Sequence, residues 1–367
     1  MTITDVALYR YELPLTTPLQ FSSGEMRRRT GLLVRVVTEQ GVDGWGEAAP
    51  LPDFSAETLS HVVRSAQDLF SRWPGTQLPP SEAGLDETLR AVPLEAEGPP
   101  SLRFAVEAAV VELIAKGRGT AIPAVLGSAR STVRVNALIS HSDPAEGPSE
   151  AVALQDAGYQ ALKVKVGRAP VEDDIARIRA IREALDSSVA LRLDANRNWS
   201  WDQAVTFAEA LSDRALDYVE EPLAAPETLG ELVEQTGLPV ALDESTRETA
   251  PSVLRDFPEI SAVVLKPTLL GGVRRTQDWF DAARTTPTTP VLSASYESGV
   301  GLRMLAALSA TGPETPVGLS TYDRLAADVY EPPLPLKGST LDVASVCALS
   351  NAQIAWYRLT LVDRFSR

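Results

Sequence analysis

Two lysines stand two residues apart in the apolar run "QALKVKVG", residues 160–167. Amines on one face of a buried strand are costly unless chemistry needs them. Farther along, further charged residues recur at the ends of similar runs: Asp194 in "LRLDAN", Glu220 in "YVEEP", Asp243 in "VALDES" and Lys266 in "VVLKPT". Consecutive members from Lys165 onward are 23 to 29 residues apart. That is about one strand–helix unit each, so parallel strands would bring all of them to one sheet end. Three neighbouring carboxylates repel unless a cation joins them. An oxygen-only ligand set points to a hard ion, Mg²⁺ rather than Zn²⁺. Lysines flank this acidic triad, and a nearby cation depresses an amine's pKa enough to make it a base. The chemistry implied is removal of a proton α to a metal-bound carboxylate. Taken singly, each Asp or Glu after a strand is more often a helix N-cap, and a lone KxK is more often a solvated face. Capping alone does not account for lysines on both flanks.

The elements that must position these residues follow from periodicity. From about residue 133 short apolar strands alternate with amphipathic segments such as "PVEDDIARIRAIREAL". Eight strands predict a closed parallel (β/α) barrel over about 131–325, with polar residues at its C-terminal end. An open doubly wound sheet is the alternative, but no Gly-rich dinucleotide fingerprint follows any strand. The first 130 residues read as antiparallel strands followed by helices, one of them expected to be capped by Ser55.

Composition narrows the function classes. The chain has 367 residues and a net charge of −15, which disfavours nucleic acid as a partner. No apolar run suits a bilayer, and the start lacks a signal-peptide pattern, so a cytoplasmic protein with no membrane partner is expected. One cysteine excludes an intrachain disulfide or a thiolate cage. His61 and His141 are the only histidines, so proton transfer falls to other side chains.

Together "KVK", "LDAN", "VEEP", "LDES" and "LKPT" resemble the enolase superfamily in its muconate-lactonising subgroup. "GWGEAAPLPDFSAET", "KPTLLGG" and "SASYESGVG" are most similar to the o-succinylbenzoate synthase family within it. The resemblance implies a (β/α)₇β barrel under an α+β cap built from residues 1–130 and the tail 326–367. It implies a small-molecule carboxylate substrate, and Mg²⁺, with Mn²⁺ as a substitute, on Asp194, Glu220 and Asp243. The family reaction is dehydration of a cyclohexadiene carboxylate through a metal-stabilised enediolate. Lys165 is then the base, Lys266 a cation across the ring, and Lys163 a support for the field. Ser293, Ser295, Glu297, Gly299 and Gly318 are expected near the succinyl carboxylate, and Asn196 near the metal. Arg192, two residues before Asp194, should point inward and pair with a carboxylate such as Glu220. Segments 19–30, with Arg27 to Arg29, and 50–55 are expected to cover the barrel mouth. N-acylamino acid racemases, dipeptide epimerases and muconate cycloisomerases share this frame. "VGLSTYD" lacks the DxD pattern of the dipeptide epimerases.

Overall fold

The structure, a computed structural model, describes residues 1–21, 23–94, 98–128, 130–139, 146–336 and 338–366. His141 and Ser22 lie outside them.

The N-terminal strands β1 (Ile3–Phe21), β2 (Gly24–Thr38) and β3 (Asp43–Ala48) form an antiparallel meander. Alternating apolar residues, Val6, Leu8, Leu32 and Val34 among them, are fully buried. The helix Pro100–Gly117 packs against this sheet, begun by a proline whose fixed φ suits a first turn. Gly46 permits that contact, since a Cβ there would lie 1.7 Å from the Ala105 carbonyl oxygen. Thr58, not Ser55, caps the helix Leu59–Phe70; the Ser55 hydroxyl instead accepts from the Leu51 amide, tying off the preceding loop.

After the short strand β4 (Thr132–Arg134) come seven parallel strands: β5 (Ala137–Ile139), β6 (Ala161–Lys165), β7 (Ala190–Asp194), β8 (Tyr218–Glu220), β9 (Val240–Leu242), β10 (Ala262–Leu265) and β11 (Thr289–Leu292). Their order in the sheet is their order in the chain. The eighth position is not a full strand. Val317 bridges Val135 and Gly318 bridges Ser293, both in parallel, which joins the two sheet edges. Tyr218, Ala241, Ala262, Val264 and Val291 form a separate buried cluster. Glu220, Asp243, Lys266 and Ser293 each follow a member of that cluster by two residues. Strand alternation therefore turns them the same way, one layer nearer the C-terminal end.

The tail supplies β12 (Thr340–Asp342), which pairs with β4, and β13 (Leu359–Ser366), which pairs antiparallel with β1 and makes the N-terminal sheet β13-β1-β2-β3. No helix among the described residues is long and apolar enough to cross a membrane.

Candidate active site

Parallel register sets Lys165 beside Asp194 and Asp194 beside Glu220. Asp243 and Lys266 come immediately after β9 and β10. Lys163 Nζ lies 2.9 Å from Asp194 Oδ2 and 2.6 Å from Glu220 Oε2. Lys266 Nζ pairs with Asp243 Oδ2 and sits 5.8 Å from the ring centre of Phe54. Lys165 differs from both, because its amine donates to the neutral Asn196 amide oxygen at 3.0 Å. Asn196 has φ 44°, a left-handed conformation asparagine tolerates, and its own amide reaches Glu244 Oε1 at 3.4 Å.

These partners set the protonation states. Burial lowers the Lys165 pKa, and Lys163, Arg168 and Lys266 push it the same way against Asp194. Burial also opposes charge on Lys163 and Lys266, yet the carboxylates beside them outweigh it and hold both as ammonium ions. Burial pushes the Glu220 carboxyl up, helped by Asp194 and Asp243. For Asp194 the three lysines overcome burial, so its pKa is held low.

The expected common coordination sphere for Asp194, Glu220 and Asp243 is not formed in this geometry. Among the described residues no three such side chains stand ready to hold a metal ion. The physical reason is local neutralisation: two carboxylates take the Lys163 ammonium and the third takes Lys266. The donor set nevertheless suits Mg²⁺. It offers three buried carboxylates on adjacent strands, an ammonium bridging two of them as a stand-in cation, and the buried, unpartnered Glu244 Oε2 beside Asp243. Glu221, which the sequence reading passed over, braces this end. It accepts from the Asp243 amide at 2.8 Å and the Ser245 amide at 2.7 Å, and pairs with Arg197. The doublet in "VEEP" was the available signal.

A cavity of about 450 Å³ opens over these groups, lined by Lys163, Lys165, Asp194, Asn196, Lys266, Ser293, Ser295 and Gly318. Leu19, Phe21, Leu51 and Phe54, from the segments expected over the mouth, line its other side. The Ser295 hydroxyl is buried and has no hydrogen-bond partner among the described residues. Three expected contacts do not reach the cavity. Arg192 points to the opposite end of the barrel, where it donates to Asp217 at 2.7 Å, to the Pro316 carbonyl and to Thr315, stacked 5.2 Å from the Tyr218 ring centre. It does not pair with Glu220. Glu297 is fully buried and accepts from Thr268 and the Ser295 amide, bracing the loop from beneath. Gly299 donates to Asp328, and a Cβ there would strike that carboxylate at 2.3 Å. Arg27 and Arg28 pair with Glu25 and Glu12, whereas Arg29 is buried and donates only to carbonyls: those of Thr30, Ala49 and Pro50 on the cap side, and of Ser295 and Tyr296 after β11. It therefore staples one cavity wall to the other.

The family model described as MenC, N-terminal domain, matches residues 3–113, and the one described as enolase C-terminal domain-like matches residues 148–346. The chain is 32% identical to the o-succinylbenzoate synthase of Haemophilus influenzae over 330 residues, 88% of this chain and 91% of that protein. It is 34% identical to that of Yersinia pseudotuberculosis over 342 residues, 90% and 95% of the two. The chain belongs to the o-succinylbenzoate synthase family. That family's fold is shared widely. The L-Ala-D/L-Glu epimerase of Bacillus subtilis superposes with a TM-score of 0.81 at 25% identity, over 93% of this chain and 96% of that one. The muconate lactonizing enzyme of Pseudomonas fluorescens gives 0.83 at 21%, over 97% and 98%.

Proposed function

We propose that the chain dehydrates 2-succinyl-6-hydroxy-2,4-cyclohexadiene-1-carboxylate to 2-succinylbenzoate in menaquinone biosynthesis. The observation that carries this reading is the inequality of the two flanking lysines: Lys165 faces a neutral amide, Lys266 a carboxylate. Syn elimination of water needs one proton carrier. Lys165, with its lowered pKa, takes the α-proton and returns it to the departing hydroxyl on the same face. Lys266 stays charged and stabilises the negative charge that develops across the ring. Lys163 orients the acidic groups it bridges. Asp194, Glu220 and Asp243 would hold Mg²⁺, or Mn²⁺ in its place, which supplies positive charge for the ring carboxylate when bound. The barrel, 131–325, carries this chemistry. The cap, 1–130 with the tail 326–367, closes the cavity with Leu19, Phe21, Leu51 and Phe54 and excludes water.

The test mixes purified protein, the cyclohexadiene substrate and Mg²⁺, and follows the absorbance of the aromatic product. Lys165→Ala should abolish turnover and Lys266→Arg should keep a measurable fraction, because arginine is a cation but no base. A protein with no aromatic product, yet efficient deuterium exchange into both enantiomers of an N-acylamino acid in D₂O, is a racemase and ends this reading.

A further inference from the structure

The cavity carries more positive charge than proton transfer requires. At its floor Lys163 and Lys266 pair with three carboxylates and Lys165 stands beside them on the neutral Asn196, so charge is roughly balanced there. Two further cations, Arg168 and Arg324, line the same cavity. Neither is in an ion pair with any described residue, in a protein where acidic groups outnumber basic ones by 49 to 34. Elsewhere the surplus of acid captures arginines readily, as at Arg27, Arg28, Arg197 and Arg274. Arg168 comes three residues after β6, and Arg324 ends the turn Ser320–Arg324 that follows Gly318. In the closed barrel β5 lies between those two segments. The arginines therefore flank the end of one strand, on one side of the mouth. Both residues line the cavity, and Arg168 acts electrostatically on Lys165 and Arg324 on Tyr296. The wall contributed by Leu19, Phe21, Leu51, Phe54 and Leu269 is largely apolar, with Gln20 its one polar side chain and no cation on it.

Resting on the dehydration reading, we propose that Arg168 and Arg324 determine specificity by binding the chain-end carboxylate of the succinyl arm, so that the enzyme selects dicarboxylates over monocarboxylates. The ring carboxylate enters the acidic and lysine-rich floor, and the arm runs toward the β5 side of the mouth. Guanidinium forks suit a carboxylate that arrives from solvent, and their charge steers a dianion into the cavity of a protein that is acidic overall. Neither arginine carries the proton, so the loss of Arg324 falls on KM; the loss of Arg168 falls on KM and also removes one of the charges that lower the Lys165 pKa.

The experiment compares wild type with Arg168→Ala, Arg324→Ala and the double variant, each checked for native circular dichroism. Steady-state turnover of the cyclohexadiene substrate should show KM raised about tenfold by each single change, equal to about 1.4 kcal/mol, with kcat within about threefold of wild type for Arg324→Ala. Calorimetric binding of 2-succinylbenzoate and of its succinyl monomethyl ester supplies the second arm. Wild type should prefer the acid over the ester, and the double variant should bind both alike. An unchanged KM in the double variant overturns the proposal, as does an acid preference that survives loss of both arginines. A wild type that binds 2-succinylbenzoate over its ester but forms no aromatic product overturns the dehydration reading and leaves the clamp standing.

Discussion

Replacing Glu47 by glutamine tests how firmly the cap holds the cavity wall. Glu47 is fully buried on β3 and reaches across to the start of the helix Gly299–Ser309. Its Oε1 accepts from the Ser298 amide at 2.8 Å and from the Tyr11 hydroxyl; its Oε2 accepts from the Gly301 amide at 2.8 Å and from the Ser298 hydroxyl. A glutamine has the same shape but must turn an NH₂ toward one side. Either orientation sets that NH₂ against a backbone N–H that cannot rotate away. One buried donor is then orphaned, at about 1–3 kcal/mol, and the remaining bonds lose their charge assistance. Removing a buried charge offsets part of this, since burial pushes the Glu47 carboxyl up despite its donors. The net loss should be about 2–4 kcal/mol, which lowers the melting temperature by roughly 3–5 °C in a chain of 367 residues. Differential scanning calorimetry at pH 7 reads it. Because Ser293 and Ser295 lie just before that helix start, KM should rise severalfold as well. A Glu47→Gln melting temperature within about 1 °C of wild type would refute the reasoning, since it would mean that charge burial cancels all four hydrogen bonds.

Three further outcomes follow from other contacts. Gly318→Ala should raise KM, because its Cβ would lie 2.5 Å from Ser293 Oγ in the cavity wall; the added change Ser293→Gly should restore KM, and a failure to do so removes the steric account. Burial raises the Asp43 pKa, but Lys116, Trp45 and Arg35 outweigh it and hold the carboxyl at about 2. A lowered carboxyl pKa stabilises the fold above its ordinary value and loses that contribution as pH falls through the folded-state value. Lys116→Met should therefore move the acid-unfolding midpoint to higher pH, and an unchanged midpoint contradicts the ion pair's role. Millimolar Mg²⁺ should raise the melting temperature of the wild type, and a chelator should reverse this. Asp194→Asn and Asp243→Asn should abolish the shift, and a variant that keeps it loses its place as a ligand.

The strand-end residues were legible because two periods coincide. Alternation turns every second residue inward, and the βα repeat returns the chain to the same level, so Lys165, Asp194, Glu220, Asp243 and Lys266 could be gathered without coordinates. Alternation says nothing, however, about which end of the barrel a long side chain reaches. Arg192 does point inward, but it extends away from the site toward Asp217 because an acid is available there. Glu297 and Gly299 follow a strand just as Asp194 does, yet they serve the packing of Thr268 and Asp328. Arg168, Arg324 and Phe54 lie beyond strand ends, where no period constrains the direction of a side chain. The eighth strand read as a full one, "PVGLST", but its ladder is reduced to the bridges at Val317 and Gly318, since Ser320 already begins a tight turn.

What periodicity could not assign was the difference between the two flanking lysines. Lys165 and Lys266 are the same residue type, both largely buried at the same barrel end. Their roles diverge through neighbours that lie elsewhere in the chain. Asp243 directly precedes the turn braced by Glu221, so its carboxylate is held where Lys266 must meet it. Asn196 occupies the corresponding place beside Lys165 and offers an oxygen without a charge. An amide can orient an amine but does little to hold its proton, whereas a carboxylate does both. In the proposed dehydration, a single uncharged side chain, kept in a left-handed backbone conformation just past β7, separates the lysine that carries the proton from the one that stays a fixed cation. This division requires that the Asn196 side chain stay neutral: an aspartate there would hold Lys165 as an ammonium, as Asp243 holds Lys266, and leave the site without a base for the elimination.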